Sequence, residues 1–151
     1  MKVHHRYAVL LLILIGLGCG SEPTGPAKVP VTGTVSLNGE PLSGAVITFI
    51  PTGKTPGLGG TARSDESGKF VLTSARGGEG APAGEYRVAV SRRLMPDGSP
   101  VPADDKTPPI ESPAQESLPP IYSNPEMTQL TATVAPDGPP IKLALTAKGG
   151  G

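Results

Sequence analysis

The chain has 151 residues, a formal net charge of zero, 21 glycines, 19 prolines and no tryptophan. This length suits a single domain, and the abundance of glycine and proline favours short strands joined by turns over a large helical core. The balanced charge, without a basic patch, argues against a nucleic-acid partner.

Residues 1–18 have the pattern of an export signal. Lys2 and Arg6 supply positive charge, and residues 8–17 form an apolar run that is too short to span a bilayer. We therefore predict that residues 1–18 are a signal peptide. Its removal would leave 11 basic and 13 acidic residues, a net charge of −2.

A single cysteine follows the apolar run directly. The segment Gly16-Leu17-Gly18-Cys19 resembles the lipobox of bacterial lipoproteins, in which a small residue precedes an acylated cysteine. It departs from that pattern at Gly16, where leucine is usual. The resemblance implies that Cys19 becomes a lipid-bearing N-terminus, and two or more chains anchor a protein stably. Because Gly20 rather than aspartate follows the cysteine, the resemblance favours the outer membrane over the inner one.

Two other interpretations of Cys19 stay open: a plain secretory signal with an unmodified cysteine, and a buried free thiol. A lone cysteine excludes an intramolecular disulfide. Residues 19–30 are predicted to be a flexible tether, because residues 21–30 carry too little apolar area to fold alone. The folded domain is predicted over residues 31–148.

Residues 31–37 alternate between apolar and polar side chains, as in a half-buried strand. Asn38-Gly39 follows, the dipeptide that best suits a type I′ turn. Residues 45–50 are predicted to form the second strand of this hairpin and to lie inside the sheet, because both of their faces are apolar. Pro51 ends that strand.

Five more strands are predicted further along the chain. They cover residues 61–64, 69–74, 85–91, 130–134 and 141–145. Seven short strands at this spacing predict an all-β sandwich. The predicted inward-facing residues are Val31, Val35, Leu37, Ala45, Ile47, Phe49, Phe70, Leu72, Tyr86, Val88, Val90, Leu130, Ala132, Val134, Ile141, Leu143 and Leu145.

Residues 92–127 differ from the rest of the domain, since they hold nine prolines in 36 residues and show no periodicity. A segment of this length without secondary structure is either functional or disordered. We predict an irregular, proline-rich excursion with extended polyproline stretches. Its end is predicted to dock back on the sandwich through Ile121 and Tyr122.

Three motifs between residues 31 and 91 resemble carboxypeptidase regulatory-like domains. They are Gly33-x-Val35 with Asn38-Gly39-x-Pro41-Leu42-x-Gly44-Ala45 and Phe49, then Thr61-x-x-x-Asp65-x-x-Gly68-x-Phe70, then Gly84-x-Tyr86-x-Val88-x-Val90. The resemblance implies a seven-stranded Greek-key sandwich of the transthyretin-like type. The remainder resembles small bacterial lipoproteins of unknown function. The motifs contain no catalytic residue, and a fold alone does not establish a function.

The composition of the mature chain argues against several kinds of catalytic and metal site. Both histidines, His4 and His5, lie in the predicted signal, and Cys19 is the one cysteine. The mature chain would therefore have neither a Ser-His-Asp nor a Cys-His catalytic group, and it would lack the usual zinc ligands. We predict no enzyme activity, no cofactor and no metal site.

Several short polar motifs have both a chemical and a structural interpretation. Gly53-Lys54-Thr55 resembles the end of a P-loop, but position 48 is Thr48 instead of glycine and no helix can follow, which favours a plain loop. Asp65 and Glu66 are too few for calcium and suit a turn.

Asp104 and Asp105 suit a solvated loop better than a catalytic carboxylate pair. Arg92 and Arg93 suit exposed strand ends better than a site for anionic lipid or polysaccharide. Tyr86 and Tyr122 are predicted to be core residues instead of a sugar-stacking surface.

The sequence thus predicts a non-enzymatic, lipid-anchored protein of the cell envelope with a structural or binding sandwich. Its partners would be the membrane, through the N-terminal lipid, and an envelope protein or polysaccharide. The alternative is a carrier or a protein that binds a carbohydrate or small ligand through residues 92–127. A third interpretation is an enzyme that uses carboxylates or a Ser-Lys pair, in a cleft that gathers Asp104, Asp105 or Lys106 against a rigid wall.

Overall fold

The computed structural model describes residues 25–147, which fold into an all-β sandwich with one short helix. The strands are β1 (Lys28–Val29), β2 (Thr32–Leu37), β3 (Glu40–Pro41), β4 (Val46–Pro51), β5 (Gly60–Arg63), β6 (Lys69–Val71), β7 (Thr73–Ser74), β8 (Ala81–Pro82), β9 (Gly84–Ser91), β10 (Arg93–Leu94), β11 (Gln115–Glu116), β12 (Thr131–Val134) and β13 (Ile141–Leu145). The helix α1 spans Pro120–Ser123. All seven predicted ranges contain strand, although residues 69–74 hold two strands, β6 and β7, instead of one.

One face of the sandwich is a five-stranded antiparallel sheet in the order β12-β9-β4-β5-β7. Its centre is the β4–β9 pair, in which Ile47 lies opposite Val90 and Phe49 opposite Val88. Strand β4 is hydrogen-bonded at both edges, to β5 on one side and to β9 on the other. This confirms the prediction that residues 45–50 lie inside a sheet.

The other face is a smaller sheet built around β2. This strand pairs in parallel with β13, with Val35 opposite Leu143, and its other edge pairs with both β3 and β6. Strand β6 lies beside the first half of β2, and β3 lies beside its end. Two short pairs, β1–β8 and β10–β11, lie outside these two sheets.

The core lies between the two sheets and is centred on three aromatic rings. The Phe49 ring centroid is 5.7 Å from that of Tyr86 and 6.4 Å from that of Phe70. Phe70 belongs to the smaller sheet, so these contacts join the two layers. The predicted inward-facing residues are buried, except that Leu37, Leu130 and Ile141 are half-buried and pack against the core.

The predicted pairing of residues 31–37 with residues 45–50 is wrong. Asn38 and Gly39 do adopt the positive φ angles of a type I′ turn, 53° and 86°. The turn, however, joins β2 to the two-residue strand β3, while β4 lies in the opposite sheet.

A buried hydroxyl explains why the chain crosses between the sheets at this point. Leu42 is buried immediately after β3. The Ser64 Oγ donates to the Leu42 carbonyl at 2.6 Å and accepts from the Ala45 N–H at 2.9 Å. Residues 42–45 are therefore tied to the end of β5, which belongs to the five-stranded sheet.

The predicted strand 69–74 is divided between the two sheets. Strand β6 pairs with β2, whereas β7 pairs with β5. Leu72, fully buried between them, donates its N–H to the Val31 carbonyl at 2.9 Å and accepts from the Gly80 N–H. The segment with the Asp65–Gly68 turn is thus not a hairpin within one sheet, although the turn itself is present.

The N-terminal part of the described chain forms a strand that pairs with β8. Lys28–Val29 forms the strand β1 against Ala81–Pro82, and the Lys28 Nζ donates to the Gly77 carbonyl at 2.6 Å. The folded region therefore begins before Val31, where the sequence placed the domain boundary. The predicted signal peptide, Cys19 and the first part of the tether lie outside the described residues, as do residues 148–151.

The two ends of the sandwich carry different segments. Strand β4 ends, and β5 and β9 begin, at the end where β1 enters, which also carries the loops 52–59, 75–80 and 135–140. We call this the entry end. The opposite end, called here the excursion end, carries the 38–39 turn and the segment that leaves β9 at residue 92.

The proline-rich excursion consists of two parts with different packing. Strands β10 and β11 pair with each other and close a loop over residues 95–114, most of which is exposed. Ala114, the last residue of this loop, is only 4% exposed, and after β11 the chain returns to the core at Leu118, which is also 4% exposed. The excursion is therefore less irregular than the proline content predicted.

Tyr122, but not Ile121, docks on the sandwich as predicted. The Tyr122 Oη donates to the Thr146 carbonyl at 3.0 Å and accepts from the Thr146 N–H at 3.1 Å. Ile121 is 44% exposed, and Leu118 enters the core in its place. Within residues 25–147 no helix is long and apolar enough to cross a bilayer.

Candidate functional site

A small cavity separates the exposed part of the excursion from the sandwich. It has a volume of about 190 Å³ and lies at the excursion end, where β4 begins and β5 and β9 end. We call it the excursion cavity. Its lining residues are Gly44, Val46, Arg63, Ser91, Arg93, Val101, Thr107, Pro109 and Ser112.

Two arginines hold the excursion over this cavity. Arg63 is the last residue of β5 and points outward because Ala62 points into the core; its Nη2 donates to the Val101 carbonyl. The Nη2 of Arg93 donates to the carbonyls of Pro109, at 3.1 Å, and Ala114. Both guanidinium groups thus bind main-chain oxygens of residues 101–114.

The neighbouring Arg92 serves a different contact. Its Nε donates to the Ser117 Oγ at 3.2 Å, and it does not line the excursion cavity. The Glu116 carboxylate accepts from the main-chain N–H groups of Arg92 and Leu118, at 3.0 and 2.8 Å. Arg92 and Arg93 are half-buried, which corrects the prediction that both are exposed, because each guanidinium binds a different part of the excursion.

A larger and shallower recess lies over β2 and β6. Its volume is about 590 Å³, and its lining includes Thr32, Thr34, Asp65 and Lys69. The one aromatic residue in the lining, Phe70, is 3% exposed and so offers no ring for a sugar to stack on. The recess has the size of a ligand site but few polar groups that converge.

Asp65 stabilises a turn, as the sequence predicted. Its Oδ1 accepts from the Ser67 Oγ and N–H, both at 2.8 Å, and from the Lys69 N–H at 2.9 Å. These hydrogen bonds, that of the Ser67 hydroxyl above all, hold the pKa of the Asp65 carboxyl below its ordinary value. Among residues 25–147 no three His, Cys, Asp or Glu side chains come together as a metal site would require.

Replacing Asp65 with asparagine is expected to make the stability of the domain less sensitive to acid. A carboxyl whose pKa is lowered by folding stabilises the folded state above its unfolded pKa of about 3.9, and this contribution disappears as the pH falls through the lower, folded value. Urea unfolding should therefore show Asp65→Asn less stable than the wild type at neutral pH, with the difference shrinking below about pH 4. A difference that stays constant across this range would contradict the assignment. In the control Ser67→Ala, the pKa of Asp65 should rise in an NMR titration.

Asp104, Asp105 and Lys106 are exposed on the excursion and do not line its cavity. The Asp105 Oδ1 accepts from the Thr107 N–H at 2.8 Å, as in a turn. The hydrogen bond from the Thr107 hydroxyl, and then this main-chain contact, lower the pKa of Asp105. The geometry places these residues against no rigid wall, which a carboxylate-based catalytic site would need.

The Gly53-Lys54-Thr55 segment is hydrogen-bonded to the start of β9. The Thr55 Oγ1 donates to the Glu85 carbonyl at 2.9 Å and accepts from the Glu85 N–H at 2.8 Å. The Thr52 Oγ1 donates to the same carbonyl at 3.0 Å. The segment leads into β5 instead of a helix, so it lacks the helix N-terminus of a phosphate-binding loop.

Both tyrosines pack as core residues, as predicted. Tyr86 is 1% exposed, and its Oη donates to the Pro82 carbonyl at 2.7 Å; burial raises its pKa. Tyr122 is half-buried against the core, and its hydrogen bonds with Thr146 lower its pKa. Tyr86 therefore offers no ring for a sugar to stack on.

Arg63 is the site residue that sequence reasoning missed. It lies in a polar position of a short strand, and no local pattern shows that residue 101 folds back over it. Comparisons with protein-family models, curated proteins and solved structures found no match for this chain. The resemblance to carboxypeptidase regulatory-like domains therefore stays a prediction, and the assignment of function rests on the chain itself.

Proposed function

We propose that this chain is a non-enzymatic, lipid-anchored protein of the cell envelope whose sandwich is a structural or binding module. The observation that carries the proposal is the Gly18-Cys19 junction directly after the apolar run 8–17. A transthyretin-like, carboxypeptidase regulatory-like topology and an outer-membrane location are the finer parts of the proposal. They are supported by the turn and core motifs and by Gly20.

The position of the first described residues indicates how a lipid-anchored sandwich would be oriented at the membrane. Six peptide units separate Cys19 from Gly25, and an extended chain of that length reaches about 20 Å at most. A lipid on Cys19 would keep the entry end close to the bilayer. The excursion end, on the opposite side of the sandwich, would face away from the membrane and be free to meet a partner.

Metabolic labelling with radioactive palmitate tests the anchor. The wild-type chain, expressed in a bacterial host that processes lipoproteins, should take up the label and sediment with membranes. Cys19→Ala should do neither, because its side chain cannot be acylated. A wild-type chain that carries no label would overturn the anchor.

A second candidate function is the binding of a small ligand by residues 92–127, and the excursion cavity favours it. This function would make the chain a carrier or binding protein of the envelope. Thermal-shift and glycan-array screening of the full chain would test it, with a variant in which residues 96–112 are replaced by a short glycine linker. A ligand whose shift requires the excursion supports the candidate, and the absence of any ligand favours a purely structural role.

A further inference from the structure

We propose that the excursion cavity binds a small oxyanion, a carboxylate or a phosphate, between Arg63 and Arg93. This inference rests on the second candidate function and names the class of its ligand. It does not depend on the lipid anchor.

Both arginines retain donors for such an ion. A guanidinium has five N–H donors in a planar fork that matches a carboxylate or phosphate. Among the described residues, the acceptors of Arg63 and Arg93 are the main-chain oxygens of Val101, Pro109 and Ala114, which use one donor of Arg63 and two of Arg93. The remaining donors on these two side chains have no acceptor among the described residues.

The charge around the cavity is unbalanced. Its lining contains two arginines and no carboxylate. The acidic side chains nearest along the chain have other contacts. Asp65, which lines the recess over β2 and β6 together with Arg63, accepts from Ser67 and Lys69. Asp97 accepts from Ser99, Asp105 from Thr107, and Glu116 from Ser91, Arg92 and Leu118. Glu111 is exposed. Two cations that face one cavity repel each other, and an anion between them would offset that repulsion.

The Ser112 hydroxyl adds a neutral donor to the site. The Ser112 Oγ accepts from the Ala114 N–H at 3.3 Å, which leaves its own proton free to donate. Thr107 also lines the cavity, but its hydroxyl contacts the Asp105 carboxylate and adds no free donor for the ion. Cationic forks supplemented by a hydroxyl donor are typical of a site for oxyanions and unsuited to a metal cation.

The size of the cavity decides between a small ion and a sugar. Sites for drug-sized ligands span about 300–1,000 Å³. The excursion cavity, at about 190 Å³, is smaller, and no aromatic ring lines it. It can therefore hold a phosphate or a short carboxylate, whereas an oligosaccharide would have to displace the excursion.

Calorimetry and NMR on the full chain in neutral detergent would test the proposal, with inorganic phosphate and succinate as probes and chloride at matched ionic strength as the reference. At least one of the two probes should bind saturably. Binding of phosphate or of succinate then shows whether the site takes a phosphate or a carboxylate. Arg63→Gln and Arg93→Gln should each weaken binding about tenfold or more. Arg92→Gln is the matched control, because it also removes one positive charge but lies outside the cavity lining. It should bind the probe like the wild type.

Absence of saturable binding by either probe would overturn the proposal, and so would equal weakening in all three variants, which would indicate a general charge effect. If Arg93→Gln fails to fold, NMR of the wild-type chain still tests the proposal. A bound anion must shift the Nε–H resonances of Arg63 and Arg93 and leave the Nε–H resonance of Arg92 unmoved. A neutral ligand that needs the excursion, found without anion binding, would overturn this inference and leave the second candidate function standing.

Discussion

Replacing Phe49 with alanine is expected to lower the free energy of unfolding by about 3–5 kcal/mol. Phe49 is 1% exposed, and its ring contacts those of Tyr86 in its own sheet and Phe70 in the other. Its removal would open a cavity at the point where the two layers meet. Because neighbouring β-strands hold the backbone in place, the surrounding residues can only partly collapse into the space.

Urea unfolding of the wild type and of Phe49→Ala measures this effect. Val46→Ala is the matched control, because Val46 lies on the outer face of the same strand and is 38% exposed. The control should lose less than about 1 kcal/mol, since a side chain that stays in contact with water contributes little burial energy. A loss below about 1 kcal/mol for Phe49→Ala itself would mean that the core is assigned to the wrong face of β4.

Replacing Gly59 with alanine is expected to destabilise the domain by about 2–5 kcal/mol, through two separate effects. Gly59 has a φ of +76°, which strains any other residue. In addition, a Cβ at this position would lie 1.9 Å from the Phe49 carbonyl oxygen, a main-chain atom inside the β4–β5 ladder. The backbone of β4 would have to shift, next to the core residue with the largest expected effect.

Gly39→Ala separates these two effects. Gly39 has a similar φ of +86°, but no atom lies within 4 Å of a Cβ built there. This variant, and Gly39→Val likewise, should show the conformational strain alone, about 1–2 kcal/mol. If thermal or urea unfolding finds the alanine variants of Gly59 and Gly39 equally stable, the close approach to Phe49 does not restrict the site.

Local patterns in the sequence predicted most strands and their buried faces. The alternation in residues 31–37 and 85–91 reflects a period that each strand carries in itself, so Val35, Val88 and Val90 could be assigned inward without knowledge of the fold. The positive φ angles at Asn38 and Gly39 are likewise a property of that dipeptide.

Strand pairing was less predictable because it depends on contacts between distant residues. The 38–39 turn suggested that residues 45–50 pair with residues 31–37, yet β3 takes that place and Ser64 ties the chain to the other sheet. No periodicity marks Leu72 as the residue at which a strand changes sheets.

The candidate site was the least predictable part, for the same reason. Proline content indicated an irregular excursion, but the sequence does not show that Leu118 enters the core. It also does not show that Arg63 and Arg93 bind carbonyl groups of residues 101–114. These contacts join residues that are 16 to 38 positions apart. Such pairs become neighbours only once the sandwich has formed.

Mass spectrometry of the N-terminal peptide from chain purified out of membranes tests the central claim most directly. The proposed function predicts a peptide that begins at Cys19 and carries the added mass of two or more acyl chains. Cys19→Ala should yield no acylated peptide. A wild-type peptide that contains Cys19 without lipid, whether it begins at Met1 or at a cleavage site elsewhere, would contradict the lipid anchor.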